Sequence, residues 1–134
     1  MNTKIILAVV LAIVVIAAWA VNAPRNKGFR TVSSEEFAGL IGDTATVQLL
    51  DVRTKEEYEE GHIADALLVD VYSYNFEEQA TAKLLKEKAV AVYCRSGRRS
   101  ASAAQKLVKL GYEVINLDRG ILAWQRTKMP ISSV

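Results

Sequence analysis

The sequence predicts a three-layer α/β domain with a mainly parallel sheet, set behind an apolar N-terminal helix. Apolar, β-branched runs without polar alternation recur at residues 47–52 and 89–94, as in strands covered on both faces. Helix start and stop signals lie between such runs, so strands alternate with helices. The chain has 134 residues, 51% hydrophobic and 24% charged, which suffices for one compact domain and leaves no room for two ordinary ones. Abundant Leu, Ile and Val exclude wholesale disorder, and a single cysteine, Cys94, excludes a disulfide scaffold.

The first segment differs from the rest. Residues 5–21 are 17 consecutive apolar residues behind Lys4; as a helix they span roughly 25 Å at 1.5 Å per residue. That length lies near the short limit for crossing a bilayer and above the usual core of a signal peptide. Residues 1–23 are therefore expected to be a signal peptide, cut after Ala18-Trp19-Ala20 or near Ala23, or a retained membrane anchor. Either fate makes the domain exported (periplasmic) or membrane-anchored. Lys4 on one side and Arg25, Lys27 and Arg30 on the other leave the orientation of an anchored form open. Lys4, Arg25 and Lys27 precede Phe29, so the domain from 29 to 134 carries 14 basic and 15 acidic residues, net −1. The basic balance of the whole chain belongs to the leader and gives no support to nucleic-acid binding.

Residues 24–28, with Pro24 and Gly28, read as a linker. Ser33 and Glu36 have capping-box spacing for a first helix with Phe37, Leu40 and Ile41 on its apolar side and Gly42 as its stop. A strand over 47–52 follows, then a short helix over 54–60, with Thr54 and Glu57 again at capping-box spacing and Gly61 ending it. Residues 66–69 are a second short strand. A helix is expected over 76–88, with Phe76, Ala80, Leu84, Leu85 and the Lys88 stem inward. The strand over 89–94 leads through a turn into a helix from about 99 to 110, whose stripe is Ala101, Ala104, Leu107 and Val108 and whose left-handed cap is Gly111. A strand over 112–117 and a short helix over 121–125 complete the chain, with Trp124 covering the core edge.

Ligands and active groups of such sheets gather beyond the carboxyl ends of the strands. Asp51 and Cys94 both stand at such ends. A lone cysteine there is ordinarily a small buried hydrophobe, and its neighbours decide otherwise. In Cys94-Arg95-Ser96-Gly97-Arg98-Arg99-Ser100 a thiol meets loop amides, the positive end of the next helix and three guanidinium groups, all favouring thiolate over thiol and able to hold an anion. Gly97 supplies a dihedral closed to other residues, so that successive amides converge. Arg99, at the helix start, either clamps the substrate or braces the loop against an acid such as Asp51. Arg95 and Arg98 lie nearer the rim and steer an anion or a docking protein. Arg53 is read as a structural ion-pair partner of Glu57 or Glu60, and His62 as a group that fixes the loop after Gly61. One histidine with one cysteine is poor evidence for a metal site. Tyr72, Tyr74 and Phe76 either pack ordinarily or form part of an acceptor-binding rim.

Leu50-Asp51-Val52-Arg53, Glu57-Tyr58, Gly61-His62-Ile63 with Ala66, the cysteine loop, and Gly120 with Ala123-Trp124 occur in the order of the rhodanese (thiosulfate sulfurtransferase) motifs. Over about residues 29 to 131 the chain resembles the single-domain form of that family. The resemblance implies a rhodanese-like domain with a five-stranded parallel sheet, and a Cys94 thiolate that takes sulfane sulfur from thiosulfate or another donor and passes it on as a persulfide. The acceptor is a thiol or cyanide, and a thiol-redox protein is a candidate partner. Arg95, Ser96, Gly97, Arg98 and Arg99 form the anion- and persulfide-binding loop, with Asp51, Arg53 and Ser100 supporting it. Neither a metal nor an organic cofactor is required, and a monomer is expected. The alternative is a persulfide carrier or redox-partner docking module without efficient turnover.

Cysteine phosphatases use a comparable loop with arginine six positions after the cysteine. Ser100 stands there in this chain and Arg99 comes at five, so the shorter loop encloses a smaller anion. Two departures from the rhodanese pattern are Ala64-Asp65 in place of proline-glycine, expected to put an acid near the mouth, and Arg119 where a glycine often precedes Gly120.

Overall fold

The computed structural model describes residues 2–22 and 28–133, with the backbone alone for residues 14–22. Helix α1 (Thr3–Asn22) takes up the apolar run, and its side chains from Ile5 to Ile13 are exposed. Of the expected cleavage points, Ala18-Trp19-Ala20 lies in α1, described there by its backbone alone, whereas Ala23 and the linker up to Lys27 lie outside the described residues. Among the described residues no helix is long and apolar enough to cross a membrane.

From Gly28 the chain alternates strand and helix: β1 (Phe29–Val32), α2 (Ser34–Ile41), β2 (Val47–Asp51), α3 (Lys55–Glu60), β3 (Leu67–Leu68), α4 (Phe76–Lys83), β4 (Ala89–Tyr93), α5 (Arg98–Lys109), β5 (Val114–Leu117) and α6 (Gly120–Arg126). The five strands form one sheet in the order β1-β5-β4-β2-β3, every pair parallel. Parallel neighbours require crossovers, which the helices supply.

Both faces are covered, as the unbroken apolar runs require. Along β4, Val90 and Val92, with Cys94 just beyond, face a core completed by Phe76 and Ala80 of α4 and Ala103, Ala104 and Leu107 of α5. Ala91 and Tyr93 point the other way, into a core with Phe37 of α2 and Ile121 and Trp124 of α6. Phe37 and Trp124 meet edge to face at 6.1 Å between ring centres.

Three elements differ from the sequence expectation. The first element of the domain is a strand, β1, not a helix. It has four residues, two of them exposed, and pairs with β5 alone, so it lacks the buried apolar run that marks the central strands. Helix α4 stops at Lys83 instead of continuing to Lys88: Leu84 turns to extended backbone and Leu85 is 48% exposed. Gln48 holds this turn, its amide donating to Leu85 O and Lys88 O while its oxygen accepts from Leu85 N. On α5, Ala103 joins Ala104 and Leu107 in the buried stripe, while Ala101 and Val108 are only half-buried.

Candidate active site

The sheet order places β4 in the centre, and Cys94 follows its carboxyl end. The side chain is 1% exposed. Its sulfur nevertheless meets a polar group: the Gly97 N–H donates to Cys94 Sγ at 3.1 Å. This turn is available because Gly97 adopts φ of 102°, in the left-handed region that favours glycine. Helix α5 begins at the next residue, and the first-turn amides of a helix have no carbonyl within it to bond. They add the positive end of the helix dipole to the same small volume. Ser100 is wholly buried, and its hydroxyl donates back to Gly97 O at 3.2 Å, tying the loop to the helix.

The loop is also held from behind. Ile121 N donates to Cys94 O at 2.9 Å and Leu122 N to Arg95 O at 3.2 Å. Two amides at the start of α6 therefore find their acceptors in the cysteine loop, whose carbonyls are thereby turned away from the sulfur. Gly120 makes this approach feasible, because a Cβ there would overlap the carbonyl oxygens of Cys94 and Arg95. From sequence Gly120 stood out only through the family resemblance; its closeness to the loop has no local signal.

Arg99 is braced by Glu57. Nη1 and Nη2 reach Oε1 and Oε2 at 2.7 and 2.9 Å, both side chains being mostly buried. Glu57 is also the third residue of α3 and closes the capping box with Thr54. The Arg99 hydrogen bonds lead in holding its carboxyl down at about 2, against an ordinary 4.5. Those same bonds raise the Arg99 guanidinium above its ordinary value.

The second expected pair is exchanged accordingly. Asp51, fully buried, does not face Arg99; it accepts from Arg53, through the backbone N–H at 2.9 Å, Nε at 3.0 Å and Nη2 at 2.7 Å. Residues two apart on an extended chain share a face, which makes this the short-range solution. Arg53 Nη2 also donates to Gly61 O at 2.7 Å. Burial works against the Arg53 cation, and the bonds and charge of Asp51 outweigh it, leaving the group above its ordinary value. Asp51 and Arg53 thus brace the exit of α3 on the face opposite Cys94. Tyr93, just before Cys94, lies on that face too, its hydroxyl accepting from Ile63 N at 2.9 Å.

His62 is 3% exposed, stacks on Tyr58 with ring centres 3.6 Å apart, and has Nδ1 2.8 Å from Tyr58 O. Its backbone exchanges two hydrogen bonds with Ser132. Arg95, Ser96 and Arg98 are exposed around the loop. A cavity of about 260 Å³ opens beside Arg95, walled by Arg53, Glu57, Glu60, Ile121 and Leu122 among others.

Asp65 is not at this mouth. It lines a cavity with Thr44, Val47, Gln48 and Lys88, at the amino-terminal ends of β2 and β4. The strands run parallel, so the loop preceding β3 enters at the end of the sheet away from Cys94. Asp65 and Arg119, the two residues found where the family pattern has glycine, both take left-handed backbone, at φ of 67° and 56°.

Comparison with known proteins agrees with this geometry. The profile of the Rhodanese-like domain matches residues 33–127. A sulfurtransferase of Allochromatium vinosum is 38% identical over 101 residues, covering 75% of this chain and 92% of the relative. Thiosulfate sulfurtransferase 18 of Arabidopsis thaliana is 36% identical over 98 residues, covering 64% of this chain and 72% of the relative. The crystal structure of a rhodanese-related protein from Thermoplasma volcanium superposes with a TM-score of 0.67 at 28% identity, over 78% of this chain and 99% of the other.

Proposed function

Because the chain belongs to the rhodanese-like domain family, whose relatives here are sulfurtransferases, we propose that Cys94 carries sulfane sulfur from thiosulfate or a persulfide donor to a thiol or cyanide. The observation that carries this reading is the Gly97 N–H on Cys94 Sγ at the start of α5. A donor aimed at the sulfur favours its anion, which is both nucleophile and leaving group in such chemistry.

In the first step the Cys94 thiolate attacks the outer sulfur of thiosulfate. The S–S bond of the donor breaks, sulfite leaves with the electron pair, and Cys94 holds a persulfide. In the second, an acceptor thiolate or cyanide attacks the outer sulfur, and Cys94 departs as thiolate. The negative charge stays on sulfur in one small volume throughout, so fixed amides serve both steps without rearrangement. Arg95, Ser96, Gly97, Arg98 and Arg99 surround the transferred sulfur. Glu57 keeps the Arg99 guanidinium in one orientation, while Asp51, Arg53 and Ser100 maintain the framework. No step requires a proton from His62.

The test is intact-protein mass spectrometry after incubation with thiosulfate. The protein gains the mass of one sulfur atom, loses it to cyanide or a thiol, and Cys94→Ser gains nothing. A Cys94→Ser protein that still transfers sulfur at the wild-type rate overturns the proposal.

A further inference from the structure

The surface around the loop offers more than a small anion needs. Arg95 and Arg98 are exposed, and neither is in an ion pair among the described residues. Arg119, its side chain 77% exposed, stands against the same loop: a Cβ built on Gly97 would come within 3.3 Å of Arg119 N. The carboxylate facing it is Asp118, at 3.7 Å. At the same end of the sheet, the segment after β3 carries Tyr72 and Tyr74, 75% and 99% exposed, whereas Phe76 is wholly buried in the core. Asp70 sets this segment, its carboxylate accepting from Tyr72 N and its carbonyl from the Ser73 N–H and hydroxyl. Strand β3 runs parallel to β2 and β4, so the segment that follows it leaves the sheet at the end where Cys94 stands.

We propose that Arg95, Arg98 and Arg119, with Tyr72 and Tyr74, form a docking surface for a partner protein whose reactive cysteine lies in an acidic surface patch. The proposal rests on the sulfur-transfer reading of Cys94 and names its acceptor class. Thiosulfate and cyanide are small ions that need no aromatic surface to be held. Exposed tyrosine beside arginine is the pairing that anchors protein interfaces. The domain as a whole is at net −1, so its overall charge repels an acidic partner and only the local cations attract one. The Cys94 sulfur is nearly buried, but a persulfide places the transferred atom about 2 Å further out. The partner's thiolate attacks that outer sulfur, the S–S bond to Cys94 breaks, Cys94 leaves as thiolate, and the partner keeps the persulfide.

The experiment is fluorescence anisotropy of labelled cysteine peptides, flanked either by glutamates or by lysines, on full-length Cys94→Ser protein, which needs no sulfur loading. The glutamate peptide binds about tenfold tighter than the lysine peptide, and the preference vanishes near 1 M salt, where screening acts within about 3 Å. Arg119→Glu lowers glutamate-peptide affinity about fivefold, Tyr74→Ser lowers it about threefold, and Lys109→Glu, at the far end of α5, leaves it unchanged. Equal binding of the two peptides overturns the docking surface, as does an Arg119→Glu effect no larger than that of Lys109→Glu. With Cys94 present, Arg119→Glu loads sulfur from thiosulfate as the unmodified protein does. Failure of the unmodified protein to load overturns the sulfur-transfer reading and leaves the peptide result standing.

Discussion

Replacing Glu57 by Gln tests how the active loop is braced. The carboxylate accepts two short hydrogen bonds from Arg99 and closes the capping box of α3. A carboxyl held at about 2 instead of 4.5 corresponds to about 3–4 kcal/mol, at roughly 1.4 kcal/mol per pH unit. The Glu57 side chain is 26% exposed, and glutamine keeps one acceptor oxygen, so the expected loss at pH 7 is about 2 kcal/mol. With a urea slope of about 2 kcal/mol per molar, the unfolding midpoint falls by about 1 M. The folded carboxyl ionises more readily than the unfolded one, so its stabilisation is complete above 4.5 and drains away as pH falls toward about 2. Urea titrations of both proteins from pH 7 downward should converge over that window. A gap under about 0.5 kcal/mol at pH 7, or one that persists unchanged at pH 2, refutes the reasoning.

Two further substitutions probe the framework. Asp51→Asn leaves the Arg53 cation, 5% exposed, without its counter-charge, and should cost about 3–5 kcal/mol by chemical denaturation; a loss below about 1 kcal/mol means the pair is not structural. Gly120→Ala pushes a methyl group into the Cys94 and Arg95 carbonyls at a left-handed position, costing about 2–5 kcal/mol from overlap and backbone strain together. Its sulfur loading, followed by mass spectrometry on whatever fraction folds, should fall at least about tenfold, about 1.4 kcal/mol in the barrier. An alanine variant with normal stability and loading would show that the loop does not depend on the seat beneath it.

Much of this molecule is written in short stretches of chain. The Thr54–Glu57 capping box, the buried strands around Leu50 and Val92, and the cysteine turn closed by Gly97 each depend on residues a few positions apart, and all form as their spacing predicts. Local rules apply there because the interacting groups are adjacent whatever the rest of the chain does. The exchange of partners between Arg53 and Arg99 belongs to another level. Several acids could serve either arginine, and the choice of Glu57 for Arg99 joins residues 42 apart. Strand β1 exists because β5 offers it an edge, and Asp65 leaves the mouth because a parallel strand must be entered from the far end. The seat of Cys94 on the amides of Ile121 and Leu122 is likewise a meeting of segments that share no local pattern. The sequence by itself determined where the single cysteine stands and what turn holds it, since those are properties of consecutive residues. Only the tertiary structure decided which charges brace that turn and which side chains ring it, because neighbours across a fold are set by packing and not by spacing.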